Sequence, residues 1–446
     1  MSRRITLVCL TPPVDTDELG SMAMPSYGVR RIQAAVAGDP ELKGNPVRLV
    51  DLGRDDVEGY VRRICAWEPQ LVGFSLYVWS TACLIAVARE VKRRLPATAI
   101  VFGGPSARAA VFDLHPGADT YLDALVEGDG EVIFRDVARL PELTPAALRS
   151  VAGLTLPVPG GGWLRTAPRA RVADLDSIAS PFQLGLMPRG EVAYLETYRG
   201  CPMSCRFCEW GASDKAKVVF SADYVTRELE AFRRHRSRAV FLLDAGLNLN
   251  IQGFRNLREA NKRSDALRDM MLWAEIYPNV VRDEHLAFLD EAGPSYLGVG
   301  MQSADPEVLR LHQRPGDTPR FESAVRRLAE VSEIELQIIF GLPGDTPEGF
   351  RRTLAYARSL PASVRAYHCL VLPDALLTRG LPEFAMDFDP ATLAMRSCLG
   401  WSAADIAAMR ENLAAETAAA GGRSGQFWWS FPPSVPRRGP KRLRAA

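Results

Sequence analysis

Residues 201–211 read Cys201-Pro-Met-Ser-Cys205-Arg-Phe-Cys208-Glu-Trp-Gly211. Three thiols, separated by three residues and then by two, follow closely on a strand-like run, Val192-Ala-Tyr-Leu-Glu196. A short loop holding thiols so close together can wrap one corner of an iron–sulfur cluster, because cysteine thiolates are the usual ligands of such clusters. The usual cubane takes four ligands, so three leave one iron open to another. Two plainer readings stand beside this one: a zinc site short of its fourth ligand, or three structural thiols with no metal. Zinc wants four nitrogen or sulfur ligands, and no further His or Cys lies within twenty residues of the motif.

Downstream of the motif, strands and helices alternate. Ser221 caps a helix whose Val225, Leu229 and Phe232 share one face. Strand-like runs follow at Ala239–Leu243, Met271–Ile276, Tyr296–Ser303, Leu336–Gly344 and His368–Pro373. With residues 192–196 they make six βα units. Six units cannot close as eight do, so an open, partial (β/α)6 barrel of the TIM type is expected, with its site at the C-terminal ends of the strands. Beyond it, Asp405–Ala419 reads as an Ala-rich helix and Phe427-Trp-Trp429 as an aromatic cluster. The stretch Arg437–Arg444 is a basic tail.

Upstream the same alternation appears in a different form. Apolar runs at Ile5–Leu10, Val47–Leu52, Leu71–Tyr77, Ala99–Phe102 and Thr120–Val126 alternate with helical patterns at Tyr27–Val36, Asp55–Trp67 and Ala82–Arg94. A last helix is opened by Gly128-Asp-Gly-Glu131. This is the pattern of a doubly wound, Rossmann-like parallel sheet, whose ligands lie at the carboxyl ends of the strands. No Gly-x-Gly-x-x-Gly is present, so the nicotinamide dinucleotide fingerprint is missing. Residues 141–190, with Pro157-Val-Pro-Gly-Gly-Gly162, read as a connector with a small hairpin. The expected division is therefore an α/β domain at 1–140, a linker at 141–190, the barrel at 191–385 and a small helical C-terminal region at 386–446.

Composition narrows the possibilities. In 446 residues, 47% are hydrophobic and 24% charged, and the net charge is +1. No bulk field points to nucleic acid or a membrane surface, and no apolar run of about 18–20 residues is long enough to span a bilayer. Eight cysteines, three clustered and five scattered, do not make a secreted disulfide framework. A reducing, cytoplasmic setting is expected.

The motif Cys201-x-x-x-Cys205-x-Phe207-Cys208 resembles the signature of radical S-adenosylmethionine enzymes, including the aromatic residue before the third Cys. That resemblance implies a 4Fe–4S cluster on Cys201, Cys205 and Cys208. Its open iron binds the amino and carboxylate groups of S-adenosylmethionine, from which a 5′-deoxyadenosyl radical is made. An external electron donor of flavodoxin or ferredoxin type goes with it. The same resemblance implies S-adenosylmethionine contacts from Asp244, Gly246 and Asn248 after the second strand and from Glu275 at the end of the third. It adds Gln302 and Ser303 near adenosine, and Gly341 and Pro343 in the turn behind the adenine. Read as residues alone, Glu275 is equally a buried acid, and Gly341-Leu-Pro-Gly344 equally a turn.

The upstream domain resembles the cobalamin-binding domain that precedes the cluster motif in one large subgroup of that family. The matching pieces are Pro25-Ser-Tyr-Gly28, Gly73-Phe-Ser-Leu-Tyr-Val-Trp79, Gly103-Gly-Pro105 and Glu127-Gly-Asp-Gly-Glu131. By that resemblance the corrin meets Tyr77, Val78 or Trp79 on its lower face. Gly103, Gly104, Pro105, Glu127, Gly128, Gly130 and Glu131 line its other contacts. The plainer reading of the glycines is tight turns in any α/β domain. Asp113-Leu-His115-Pro-Gly117 imitates a His-donating cobalamin motif but is one residue short and follows the wrong strand, so His115 is not expected to ligate cobalt. Tyr198, Glu209 and Trp210 are positioning candidates for the reaction.

The subgroup resemblance implies methylation of an unactivated carbon, less often phosphorus, of a peptide or small natural product, using methylcobalamin. The main alternative is a non-methylating reaction on the same cofactors, such as rearrangement, ring contraction or oxidative cyclisation. A cluster-stabilised RNA-binding protein is the reading from another class, with nucleic acid disfavoured by the even charge.

Overall fold

The computed structural model describes residues 2–12, 24–212 and 218–434. They fall into two compact units, Met1–Glu191 and Val192–Ala446. In the first unit, strands and helices follow in the order β1 (Ile5–Cys9), α1 (Tyr27–Ala37), β2 (Val47–Asp51), α2 (Val57–Cys65), β3 (Leu71–Ser75) and α3 (Thr81–Arg94). Then come β4 (Ala99–Gly103), the one-turn α4 (Ala109–Phe112), β5 (Ala124–Val126) and α5 (Gly130–Arg139). A short α6 (Pro145–Leu148) leads to the hairpin β6 (Leu154–Pro157) and β7 (Trp163–Arg165).

The sheet order is β2-β1-β3-β4-β5-β6-β7, parallel from β2 to β5. The central strands are continuously apolar because both faces are covered. Tyr60, Ile64 and Leu84 of α2 and α3 pack on Val72, Phe74 and Phe102 on one side. Val29 of α1 and Ile133, Phe134 and Val137 of α5 pack on Leu7 and Val101 on the other. β2, at the edge, is only partly covered, and its Arg48 reaches out over Trp67.

Several expected boundaries shift. β3 stops at Ser75, and Tyr77 instead caps a 3-10 turn over Val78–Ser80, because the Ser80 hydroxyl takes the Tyr77 N–H at 3.0 Å. The fifth strand shortens to Ala124–Val126, since residues 118–120 form a 3-10 turn after Gly117. The hairpin expected within 141–190 pairs with β5 through β6 and so extends the first sheet.

The second unit opens with β8 (Ala193–Leu195) and the two-residue β9 (Tyr198–Arg199), which pairs antiparallel with β10 (Val218–Val219). It continues α7 (Ala222–Arg234), β11 (Ala239–Leu242), α8 (Ile251–Ser264), β12 (Met271–Ile276), α9 (Asp283–Ala292) and β13 (Ser295–Gln302). Next are α10 (Pro306–Leu311), α11 (Thr318–Val331), β14 (Glu333–Phe340), α12 (Pro347–Arg358) and β15 (Ser363–His368). The last elements are β16 (Asp387–Phe388), β17 (Met395–Ser397), α13 (Ala403–Ala419), β18 (Arg423–Ser424) and β19 (Trp428–Phe431).

Ser221 caps α7 as expected, its hydroxyl accepting from the Tyr224 N–H at 3.0 Å. Six parallel strands, β8 and β11 to β15, form the open barrel, and the antiparallel β19 and β18 extend it beyond β15. β8 and β18 are the two ends of the sheet, so strand pairing does not close the barrel.

The last parallel strand lies five residues earlier than expected, at Ser363–His368 rather than His368–Pro373. Here Val364, Ala366 and His368 alternate with more open neighbours, as barrel strands do. The more apolar run that follows leaves the sheet. The Cys369 carbonyl and Val371 N–H instead bond to Met395 and Leu393 at 3.0 and 2.7 Å. The C-terminal region holds the expected helix together with two small hairpins. The basic tail Arg437–Arg444 lies outside the described residues.

Candidate active site

The cluster motif occupies the stretch between β9 and β10, whose pairing of Arg199 with Val218 and Tyr198 with Val219 ties its two ends together. Cys201 and Cys205 are buried, Cys208 is partly buried, and all three are free thiols. Among the described residues no three His, Cys, Asp or Glu side chains gather as ligands of a single ion would. In a cubane each thiolate binds a different iron, and three free thiols on one short loop are the donors that such a corner takes. The donor set fits a three-thiolate cluster.

The loop is held from outside by arginines. Arg379 donates to the carbonyls of Ser204, Cys205 and Cys208 at 3.3, 2.9 and 2.6 Å. Arg206 donates through Nε to the Leu311 carbonyl at 3.2 Å, and its N–H bonds the His312 carbonyl at 3.0 Å. Phe207 packs on the His312 ring, centroids 5.8 Å apart, and His312 bonds the Pro343 carbonyl at 2.8 Å. The aromatic residue of the motif thereby joins the loop to the turn after β14. Arg314 comes within 4.0 Å of the Cys205 sulfur.

The strand ends around this loop are stitched together by side chains. Asp244 is buried and accepts from the N–H and hydroxyl of Thr197 and from the Tyr198 N–H. Burial raises its carboxyl to about 7 in spite of those donors. Tyr198 in turn bonds Gly246 twice, its hydroxyl 2.7 Å from the carbonyl and 3.1 Å from the N–H, and burial pushes its own phenol up. Asn248 grips Tyr277 by both backbone groups, at 2.8 and 2.9 Å. Asp244, Gly246, Asn248 and Tyr198 are therefore brought together, with their polar groups engaged on one another's loops. Glu209 and Trp210 follow the third cysteine in a 3-10 turn, and Trp210 is exposed.

Glu275 lies on the inner face of the barrel, the face opposite Phe340, which packs on Phe350 of α12. Burial raises its carboxyl, and Oε1 accepts from Gln337 at 3.0 Å. That bond runs from β12 to β14 across the intervening β13, which is possible only because Gly298 lies between: a Cβ there would stand 2.3 Å from Glu275 Oε1. Deeper in the barrel, Tyr194, Phe241, Trp273 and Tyr296 form an edge-to-face row across four neighbouring strands.

β13 ends in an irregularity between Gly300 and Gln302, where Gln302 takes a left-handed φ of 68°. Such a conformation is rare away from glycine and is often held at functional sites. Ser303 is buried and its hydroxyl accepts from the Asp305 N–H. Gly341 and Pro343 form the turn after β14, where Asp345 is raised to about 6 by burial.

Sequence reasoning missed Arg314, Arg379, Gln337 and Tyr277. Only Pro315-Gly316 marks the turn that delivers Arg314, and no pattern marks the others.

In the first unit the sheet order reverses between β1 and β3, the position at which doubly wound sheets bind ligands. The two strand ends meet there. Trp79 donates its indole N–H to the Leu10 carbonyl at 3.0 Å while remaining 54% exposed, and Tyr77 stacks on it with centroids 4.6 Å apart. Gly104 has φ 97°, and a Cβ there would lie 2.6 Å from the Leu76 carbonyl, so the turn after β4 lies against the end of β3. A broad aromatic face beside glycine turns fits a flat macrocycle.

Of the other candidates, Glu127 accepts from the Thr155 hydroxyl at 2.8 Å, and Glu131 forms a buried ion pair with Arg31 at 3.3 Å. Gly128 and Gly130 flank Asp129 at the start of α5. His115 lies in the limb returning to β5, half-buried, and burial holds its imidazole below the usual range. Its neighbour Asp113 accepts from the Trp163 indole at 2.8 Å.

Residues 26–138 match the B12 binding domain model, and residues 195–357 match the radical SAM superfamily. The chain thus carries a B12 binding domain ahead of a radical SAM domain. The cofactors of these two domains are a 4Fe–4S cluster with S-adenosylmethionine, and cobalamin.

The chain is 30% identical over 359 residues to the cobalamin-dependent radical SAM methyltransferase TokK of Streptomyces tokunonensis, covering 74% of this chain and 50% of that protein. It is 29% identical over 358 residues to the 2-(S-pantetheinyl)-carbapenam-3-carboxylate methyltransferase of Streptantibioticus cattleyicolor, with the same coverage. It thus spans about half the length of the curated relatives it matches. The structure of TsrM from Kitasatospora setae, a radical S-adenosylmethionine methyltransferase with cobalamin and a 4Fe–4S cluster bound, shares the fold. Its TM-score is 0.65 at 19% identity, over 88% of this chain and 81% of that one. No described helix is long and apolar enough to cross a membrane.

Proposed function

We propose that this protein is a cobalamin-dependent radical S-adenosylmethionine methyltransferase that methylates an unactivated carbon of a peptide or small natural product. The observation that carries the reading is the succession of a B12 binding domain and a radical SAM domain in a chain related to two named methyltransferases. When bound, the cluster with S-adenosylmethionine supplies a carbon-centred radical, and the corrin supplies the methyl group.

The chain's own part is placement and the exclusion of water. Cys201, Cys205 and Cys208 hold the cluster. Gly246, Glu275, Gln302, Ser303, Gly341 and Pro343 shape the space for S-adenosylmethionine, with Asp244, Asn248 and Tyr198 keeping the loops rigid. The aromatic row from Tyr194 to Tyr296 fills the barrel below and keeps water from the radical. Tyr77, Val78 and Trp79 meet the corrin without offering a nitrogen that binds cobalt strongly, and Gly103, Gly104 and Pro105 let the backbone close on it. Reduction of the cluster would call for an external electron donor of flavodoxin or ferredoxin type.

Anaerobic reconstitution followed by product analysis tests the reading. Release of 5′-deoxyadenosine together with S-adenosylhomocysteine is expected, with corrin absorbance on the purified chain. Deoxyadenosine without S-adenosylhomocysteine would mean a non-methylating reaction on the same cofactors.

A further inference from the structure

One guanidinium gathers three carbonyls of the cysteine loop. Arg379 bonds the Ser204, Cys205 and Cys208 carbonyls through its two terminal nitrogens. Its Nε donates to the Asp374 carbonyl at 2.8 Å, which fixes the fork on the segment following β15. Two of those carbonyls belong to cysteines of the motif, so the fork holds the backbones of Cys205 and Cys208 at a set separation. A second arginine reaches a sulfur. Arg314 lies with Nη1 4.0 Å from Cys205 Sγ, while Nη2 bonds the Gly300 carbonyl and the guanidinium lies over the Tyr277 ring at 5.0 Å.

Both are half-buried, and among the described residues neither forms an ion pair with a carboxylate. Each has one carboxylate within electrostatic reach, Glu275 for Arg314 and Asp374 for Arg379. Neither is neutralised by a direct ion pair, and both stand beside the three thiols. A cluster on three thiolates is anionic and becomes more so on reduction, so nearby cations favour the reduced form, and donors to the sulfurs act in the same sense.

We propose that Arg379 and Arg314 are positioning and tuning residues for the cluster: Arg379 sets how firmly the loop keeps it, and Arg314 sets how readily it is reduced. The inference rests on the cofactor reading given above. It is tested on the full chain, reconstituted anaerobically with iron and sulfide and without substrate, in the variants R379Q, R379K and R314Q. R379Q is expected to release iron to a chelator about tenfold faster than the parent. R379K keeps the charge but not the fork, and is expected to release iron nearly as fast while leaving the reduced-to-oxidised ratio unchanged. R314Q is expected to keep its iron but to show about a tenfold lower reduced-to-oxidised ratio by electron paramagnetic resonance at one fixed potential, equivalent to about 59 mV for a one-electron couple.

Parent-like iron release in R379K overturns the role of the fork, and a parent-like ratio in R314Q overturns that of the charge. Melting of the cluster-free chains shows whether R379Q folds; if it does not, R379K and R314Q decide. A parent chain that takes up no iron overturns the cofactor reading itself.

Discussion

The two sheets end in differently built rims. In the first unit, the ends of β3 and β4 present one exposed indole and the Gly103-Gly104 turn, with Trp79 held by a hydrogen bond to Leu10 and a stack on Tyr77. In the second, acids and amides grip neighbouring loops: Asp244 the Thr197 turn, Asn248 the Tyr277 backbone, and Glu275 the amide of Gln337 across β13. A wide macrocycle is met by surface and backbone. Side-chain bracing of this rim lies at the ends of β1 and β2, where Asp51 accepts from the Thr11 and Gly53 N–H and Tyr60 donates to the Cys9 carbonyl. A small, reactive cofactor needs fixed distances, and this second rim is braced by buried polar bonds of the kind that specify one arrangement.

The sharpest way to break this contrast is to remove a thiol. Cys205→Ala is expected to lose most of its iron and at least about a hundredfold of its deoxyadenosine production, read by iron assay and product analysis, while corrin absorbance persists. Loss of the corrin as well would mean that the two sites are not independently built.

Next in size is Gly298→Ala, whose methyl would stand 2.3 Å from Glu275 Oε1 and 2.7 Å from Gln337 Nε2. Overpacking of this kind costs about 1–3 kcal/mol. A lower melting temperature and weaker S-adenosylmethionine binding are expected, and an unchanged melt would show that the bridge is dispensable.

Asp244 sharpens the comparison through pH. Its folded carboxyl is raised to about 7, above an ordinary 3.8. The folded chain therefore holds a proton that the unfolded chain has lost over that interval, so this group's contribution to stability falls as pH rises from about 4 to 7. Melting curves across that range should decline less steeply in Asp244→Asn than in the parent.

A modest effect on stability is expected for Trp79→Ala, which gives up one hydrogen bond worth about 1 kcal/mol and a stack on Tyr77 worth about 0.5–1.5 kcal/mol. Its corrin retention, by absorbance after desalting, should fall several-fold. Retention at the parent level would remove Trp79 from the macrocycle's site.

The alternation of strands and helices in both halves was legible because buried parallel strands must be apolar and their helices amphipathic. The order of the cysteines was legible because the spacing is itself the chemistry. What misled was apolarity without context. Cys369-Leu-Val-Leu372 is more hydrophobic than Ser363-Val-Arg-Ala-Tyr-His368, yet the latter is the barrel strand, since an inner face open to a cofactor tolerates Arg365 and Tyr367. Arg379 and Arg314 were illegible for another reason: each acts on a backbone or sulfur more than a hundred residues away, and distance along the chain carries no trace of that contact.

The antiparallel strand β19 lies against β15, the last parallel strand of the barrel. Until Trp428–Phe431 has been synthesised and has docked, the ribosome-bound chain presents β15 as a bare edge able to template pairing with another molecule. A chain cut between α13 and β19 would keep every cysteine and every loop described above and would still be expected to aggregate.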